Sequence, residues 1–138
     1  MAHHQSELTI ATNHQGLFEF TPEVNAFVRS ARARTGLLTL FVQHTSCSLI
    51  IQENADPDVM ADLNEFFARL VPENMDWLRH TAEGPDDMPA HIKAALTNVS
   101  LSIPITEGRL SLGTWQGIYL FEHRRAPHRR RVLMHIAD

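Results

Sequence analysis

The C-terminal part of this chain is a series of short apolar runs separated by turn residues. The runs are "NVSLSIPIT", "GRLSLG", "QGIYLFEH" and "RRVLMHI", with turn residues at Glu107-Gly108 and Gly113-Thr114. Short runs that are rich in β-branched and aromatic residues and bounded by glycine are typical of strands. The pattern therefore predicts three or four consecutive strands in this part of the chain.

The N-terminal part of the chain mixes strand patterns with helix patterns. "ELTIAT" alternates apolar and polar residues as a strand does, and "LFEF" follows turn residues over 13–16, which predicts a hairpin between the two runs. "LLTLFVQ" is a nearly continuous apolar run, which is typical of a buried strand. "CSLIIQE" predicts another strand.

Two helix starts show the same signal, a capping residue followed by proline. Thr21 can cap a helix that has Pro22 in its first turn, and Asp56 with Pro57 repeats the signal for a second helix with an apolar stripe. "AHIKAAL" predicts a short third helix after a polar loop over 73–89. Strands at both ends of the chain, with helices between them, predict an α+β fold.

Composition and charge narrow the class of protein. The 138 residues fit a single domain, 1–138, and the 43% apolar and 20% charged residues are those of an ordinary globular protein. A net charge of −4 disfavours nucleic acid or an anionic membrane as a partner, although "HRRAPHRRR" is locally basic. That segment is either a phosphate contact or a solvated strand end. No apolar run approaches the ~20 residues of a membrane span and no signal sequence is evident, so we expect a cytoplasmic protein.

Two features have simple structural interpretations. Cys47 is the only cysteine, so no intrachain disulfide forms. Nothing in the sequence places a base beside it, and we expect a small buried residue rather than a nucleophile. His3 and His4 form a pair near the start, which we expect to lie in a mobile terminus.

Three histidines lie at positions where they could form one site. His44 follows a predicted strand, His80 lies in the polar loop, and His91 lies in the first turn of the third predicted helix. Three converging imidazoles could bind zinc or a similar metal and leave a position open for substrate. The same side chains could instead serve as general acids and bases, or donate hydrogen bonds to a phosphate.

Carboxylate and amide side chains accompany these histidines. Glu53 and Asn54 follow a predicted strand and are not needed for helix capping, so they could ligate Mg²⁺ or bind a polar substrate group. Asp86 and Asp87 are either solvated loop charges or contacts to magnesium and substrate.

The segment "GRLSLGTWQGIYLFEH" contains a second group of candidates. Arg109 can make a bidentate contact to phosphate or carboxylate, and Thr114 and Gln116 can form hydrogen bonds. Trp115 could stack on a heteroaromatic ring or belong to the core. Three glycines within this strand-like run indicate bulges or the close approach of a ligand.

Three of these motifs together resemble the YjbQ family, also described as secondary thiamine-phosphate synthases. The motifs are "QHTSCSLIIQENADPDV", "HTAEGPDDMPAHIK" and "GRLSLGTWQGIYLFEHR". The similarity runs in the same order over nearly the whole chain, although about forty N-terminal residues match only in pattern. The resemblance implies an α+β domain with a β-sandwich-like core of mixed or antiparallel strands and two to three helices packed on it. It also implies a homotrimer with sites near the subunit boundaries.

The resemblance further implies a weak thiamine phosphate synthase activity, a transferase reaction on small phosphorylated substrates. The reaction joins hydroxymethylpyrimidine diphosphate to thiazole phosphate and releases pyrophosphate, whose charge Mg²⁺ and cations such as Arg109 and Lys93 would neutralise. The expected catalytic residues are His44, Glu53, His80, His91 and Arg109, and His44, His80 and His91 are also the expected metal ligands. The expected substrate contacts are Thr45, Asn54, Asp87, Thr114, Trp115 and Gln116.

Two other functions stay open at this point. Imidazole suits zinc, nickel or iron better than magnesium, so the same pocket could belong to a metal-dependent hydrolase or isomerase with another substrate. Alternatively, the chain could form a non-catalytic trimer that binds a small phosphorylated ligand.

Overall fold

Two antiparallel sheets and three helices form the framework of the computed structural model, which describes residues 1–138. The strands and helices in chain order are β1 His3–Thr12, β2 Gly16–Glu19, α1 Thr21–Ala31, β3 Gly36–Val42, β4 Cys47–Glu53, α2 Pro57–Leu70, α3 Asp87–Leu96, β5 Ser100–Thr106, β6 Arg109–Leu110, β7 Gln116–Glu122 and β8 His128–Ala137. The predicted α+β class is confirmed.

The strand order differs from the predicted hairpin at the N-terminus. One sheet has five strands in the order β1-β8-β3-β5-β6, and the other has three in the order β2-β7-β4. The prediction that "ELTIAT" pairs with "LFEF" is wrong, because β1 pairs with β8 and β2 pairs with β7. The turn after β1 carries the chain from one sheet to the other. His3 and His4 also belong to β1, opposite Ala137 and Ile136, so the expectation of a mobile terminus is wrong.

The core lies between the two sheets. It contains buried side chains from both of them, such as Leu38 and Leu120, and from one face of α1 through Val24 and Val28. Cys47 belongs to this core and is 1% exposed, as expected of a small buried residue. Burial raises the pKa of its thiol to about 12, so the sulfur stays protonated near neutral pH.

One of the two predicted helix caps is confirmed. The Asp56 side chain accepts a hydrogen bond from the Asp58 amide at 2.9 Å. Thr21 does not cap α1, where the N-cap residue is Phe20. Its hydroxyl instead accepts a hydrogen bond from the Ile118 amide at 2.8 Å and so joins α1 to β7.

The second and third helices differ from their predicted form. No residue of α2 is fully buried, and Phe66 and Leu70 of its apolar stripe are 57% and 53% exposed. Phe67 packs edge-on against Phe121 with ring centroids 5.3 Å apart. α3 begins at Asp87, within the predicted polar loop, so this carboxylate belongs to a helical turn. None of the helices combines the length and apolarity that crossing a membrane requires.

Candidate functional site

A cluster of two histidines and one aspartate lies at the start of α3. The Nε2 atom of His80 is 2.6 Å from Asp87 Oδ2, and the Nε2 atom of His91 is 3.2 Å from the same oxygen. These three atoms all lie within 4.8 Å of one another. Asp87 and His91 are four residues apart on α3 and therefore share a helix face. His80 reaches the cluster from the segment that precedes the helix.

A backbone carbonyl orients the His91 ring. The Nδ1 atom of His91 is 2.8 Å from the carbonyl oxygen of Thr45. A carbonyl can only accept, so Nδ1 carries the proton, and a neutral ring then has its lone pair on Nε2. That lone pair points at the Asp87 carboxylate, so a proton or a metal cation between the two acceptors would relieve their repulsion. Carbonyl contacts of this kind orient metal-binding histidines in proteins.

The Asp87 carboxylate is buried and held by several cationic or donating groups. Its residue is 3% exposed, and Arg124 Nη1 donates a hydrogen bond to Oδ1 at 2.7 Å. Burial alone would raise the pKa of Asp87. The hydrogen bond with His80 and the charges of His91 and Arg124 outweigh burial and hold the pKa below its ordinary value. The carboxylate is therefore ionised and available as a ligand.

Sequence reasoning missed Arg124, which fixes the acidic residues of the cluster. Its Nε atom donates to Asp86 Oδ2 at 3.1 Å, and its Nη2 atom donates to the carbonyl of Glu83 at 3.0 Å. Arg124 belongs to the basic segment "HRRAPHRRR", whose two interpretations are a phosphate contact and a solvated strand end. Neither interpretation holds for Arg124, because its guanidinium group is bound to Asp86, Asp87 and the carbonyl of Glu83. Asp86 is 6% exposed and Asp87 is buried beside it, so they are not solvated loop charges. Two adjacent buried acids require a cation, but their burial is visible only in the structure.

His44 lies near the cluster but is not part of it. It lines a cavity of about 310 Å³ together with Thr45 and His91. Its Nε2 atom accepts a hydrogen bond from the Arg131 amide at 2.8 Å. Burial lowers the pKa of His44, and the positive charges of Arg130 and Arg131 lower it further, so the ring is neutral. The predicted convergence of three imidazoles is thus corrected: two of them meet, with Asp87 as the third group.

Glu53 and Asn54 lie at the other end of β4 from the histidines. The strand from Cys47 to Glu53 separates them from Thr45 by roughly 20 Å of extended chain. The Asn54 amide donates to the carbonyl of Trp115 at 3.0 Å, and Glu53 lies opposite Gln116 in the sheet. Trp115 and Gln116 therefore lie beside the end of β4 at Glu53, and Trp115 is 60% exposed rather than in the core.

Arg109 is also separated from the histidines within one chain. Arg109 pairs with Thr106, close to the start of β3 at Gly36. His44 instead follows the end of β3 at Val42. The length of β3 is roughly 20 Å. Arg109 lines a cavity of about 660 Å³ that also includes Arg29 and Arg34. The predicted site thus consists of three separate groups in the isolated chain.

The donor set of the cluster fits a transition metal better than magnesium. Two imidazole nitrogens and one carboxylate oxygen are ligands typical of zinc, iron or nickel, whereas magnesium prefers oxygen ligands alone. Glu83 could add a second carboxylate, since its Oε2 atom is 3.1 Å from His80 Nε2.

The fold and this cluster together define a small α+β protein of two antiparallel sheets with a His-Asp-His group at the start of its last helix. The chain belongs to the YjbQ family. The model of this family, described as "UPF0047 protein YjbQ-like", matches residues 6–138. It is similar to the UPF0047 protein sll1880 of Synechocystis, with 57% identity over 97% of this chain and 91% of the relative. It is also similar to the UPF0047 protein YjbQ of Escherichia coli O157:H7, with 44% identity over 94% of each chain.

Solved structures share the fold. A conserved hypothetical protein of Thermus thermophilus superposes with a TM-score of 0.82 at 39% identity, over 93% of this chain and 97% of the other. A structural genomics target from C. acetobutylicum superposes with a TM-score of 0.83 at 32% identity, over 98% of this chain and 100% of the other.

Proposed function

We propose that this protein is a metal-dependent enzyme that acts on a small phosphorylated substrate, and that its detectable reaction is thiamine phosphate synthesis. The observation that supports the metal centre is the convergence of His80 Nε2, Asp87 Oδ2 and His91 Nε2 within 4.8 Å. The reaction itself comes from the family resemblance. A divalent metal at this place would supply positive charge to the departing pyrophosphate.

The residues around the cluster would prepare it for this role. Thr45 keeps the proton of His91 on Nδ1, so that Nε2 is free to bind. Arg124 occupies the second oxygen of Asp87 and leaves Oδ2 for the metal. His44 would line the adjoining cavity as a neutral acceptor rather than as a ligand.

We propose further that the active assembly is a homotrimer in which chains complement one another. Arg109 and Trp115 are each separated from the histidine cluster by the length of a strand within one chain. In a homotrimer these groups would reach the cluster of a neighbouring chain, where Arg109 would bind phosphate and Trp115 would stack on the pyrimidine. The catalytic role of Arg109 and the substrate-binding role of Trp115 depend on this assembly.

The metal centre can be tested by elemental analysis of untagged protein. We expect one equivalent of a transition metal per chain in the wild type, and its loss in His80→Ala. Arg124→Gln should weaken metal affinity by about 10–100-fold, because it no longer orients Asp87. His44→Ala is the matched control and should retain the metal, since the His44 ring bonds to a backbone amide instead. Equal metal loss in His44→Ala would contradict the proposed ligand set.

The reaction is tested separately with the two phosphorylated precursors and Mg²⁺ or the metal found by analysis. We expect product from the wild type and none from folded His91→Ala. If folded His91→Ala and His80→Ala both retain full activity, the cluster is not the site of the reaction.

A second candidate function is a metal-dependent hydrolase or isomerase, and the nitrogen-rich donor set favours it. A stoichiometric transition metal in protein that makes no thiamine phosphate would select this alternative. A screen of phosphate esters with the metal-loaded protein would then identify its substrate class.

A further inference from the structure

Lys93 is the only lysine of the chain, and its position is unusual for a cation. The residue is 8% exposed, and its ammonium group lies within ion-pair distance of no carboxylate. Buried cations in proteins are almost always paired, because an isolated charge loses its hydration without compensation. Burial lowers the pKa of Lys93 more than the charges of Glu73 and Asp86 raise it. Those two carboxylates pair with Arg125 and Arg124 instead, so Lys93 has no ion-pair partner of its own.

His123 has an unsatisfied nitrogen in the same region. The residue is 1% exposed, and its Nε2 atom is 2.9 Å from the hydroxyl of Ser48. Its Nδ1 atom is buried and has no hydrogen-bond partner. Leaving a buried polar atom unpaired costs roughly 1–3 kcal/mol, so such atoms are rare unless a ligand satisfies them.

Both side chains line one cavity between α2 and β7. The cavity has a volume of about 410 Å³, within the range of roughly 300–1,000 Å³ that small-molecule sites occupy. Phe67 and Phe121 form an apolar part of its wall, and Gln15 and Asn64 contribute amides.

The acidic residues that border the cavity do not neutralise Lys93. The carboxylate of Glu122 is already paired, because it accepts hydrogen bonds from Thr12 and from Arg130 at 2.6 and 2.7 Å. Glu65 lies 3.3 Å from Arg69 at the surface. When the Ser48 hydroxyl donates to Nε2 of His123, the proton of that ring is on Nδ1. Lys93 and His123 Nδ1 then both present hydrogen-bond donors to the cavity.

We propose that this cavity is a second binding site, for a small organic anion. The carboxylate or phosphate group of the ligand pairs with Lys93 and accepts a hydrogen bond from His123 Nδ1, while its apolar part lies on Phe67 and Phe121. This site is separate from the metal cluster. Positions 91 and 93 are about 200° apart around a helix, so Lys93 and His91 lie on opposite faces of α3. The proposal therefore does not depend on the function proposed above.

The single lysine makes the test specific. An amine-acylating reagent modifies only Lys93 and the N-terminal amine, and peptide masses distinguish the two products. At a concentration about ten times the dissociation constant, inorganic phosphate or benzoate should slow acylation of Lys93 roughly tenfold, because about a tenth of the sites stay open. The N-terminal amine should react at an unchanged rate. Protection by phosphate alone or by benzoate alone assigns the preferred anion class.

A pair of variants tests whether the anion that protects Lys93 binds in this cavity. The ring signal of His123 in a nuclear magnetic resonance spectrum should shift on titration of the protective anion in the wild type and in Arg29→Met, which lacks a cation of another cavity. It should not shift in Lys93→Met. Failure of both anions to protect Lys93 would overturn the proposal, as would equal slowing at the N-terminal amine, and neither result depends on the folding of a variant.

Discussion

A single backbone oxygen decides which nitrogen of His91 is available. Thr45 lies in the connection between β3 and β4, and His91 lies on α3, so a contact between distant parts of the chain sets the ring orientation. The carbonyl cannot be altered by substitution at position 45, because every residue supplies one. The ring orientation is therefore a product of the fold rather than of one side chain.

Glu122 and Arg130 form a buried ion pair beside the core. They are 0% and 3% exposed, and Arg130 Nε donates to Glu122 Oε1 at 2.7 Å. The Thr12 hydroxyl donates to the same oxygen at 2.6 Å, which joins β1 to the second sheet. Every member of this network therefore has a partner, and removal of one member leaves a buried charge uncompensated.

We expect Glu122→Gln to lower the free energy of unfolding by about 3–5 kcal/mol, because Arg130 then remains buried without a counter-charge. Urea denaturation measures the change. Glu7→Gln is the matched control, since Glu7 is 3.8 Å from Arg131 in an exposed pair, and such pairs contribute about 0–1 kcal/mol. Equal effects of the two substitutions would contradict the structural role of the buried pair.

The same pair predicts an acid-sensitive contribution to stability. Burial would raise the pKa of Glu122, but the hydrogen bonds from Arg130 and Thr12 outweigh burial and lower it. Because the pKa is lower in the folded state, the unfolded chain binds the proton first as pH falls. Stability from Glu122 is therefore complete above the unfolded pKa of about 4.3 and is lost as pH falls through the folded pKa. Glu122→Gln should show a shallower loss of unfolding free energy below pH of about 4.3 than the wild type, and identical slopes would refute this assignment.

At the scale of elements, the cap of α2 is a local feature with a measurable contribution. Asp56→Ala removes the acceptor for the Asp58 amide and should cost about 1 kcal/mol of stability. Asp62→Ala is the control, because position 62 lies in the exposed middle of the same helix. Thermal unfolding should separate the two variants, and an undiminished melting temperature in Asp56→Ala would show that the cap contributes nothing.

The elements that the sequence predicts well are those specified by nearby residues. The strand "CSLIIQE" and the start of α2 at Pro57 occur where the local pattern indicates them. The partner of β2 could not be found in this way, since the turn after β1 allows the chain either to return along β1 or to change sheets. The early start of α3 was missed because Asp87 and Pro89 suit a first helical turn as well as a loop.

The candidate site was only partly predictable for a related reason. His80, Asp87 and His91 lie within one short segment, and a helical turn brings the last two together. Arg124 comes from the chain after β7 and contributes by a contact that no local pattern encodes. The separation of Arg109 from the histidines follows from the register of β3 against β5, which joins segments that are distant along the chain.

At the scale of the whole molecule, the outer face of the five-stranded sheet is the surface that we expect to join subunits. Leu37 and Phe41 point outward from β3 and are each 44% exposed. Phe41 lies opposite Leu133 of β8, which extends the apolar area across the sheet. Strands that are apolar on both faces usually have both faces covered. β3 has only its inner face covered within one chain.

We therefore expect the proposed homotrimer to form through β3. Analytical ultracentrifugation of the wild type should give three times the chain mass of 15.7 kDa. Phe41→Glu should yield monomers, since a charge placed in an apolar interface loses its hydration without a partner. Phe66→Glu is the control, because Phe66 is an exposed side chain of the same size on α2, whose Phe67 packs on β7 of the three-stranded sheet. Dissociation by Phe66→Glu with an intact trimer in Phe41→Glu would assign the contact to α2 instead. A monomeric wild type would leave Arg109 and Trp115 without the neighbouring cluster that their proposed roles require.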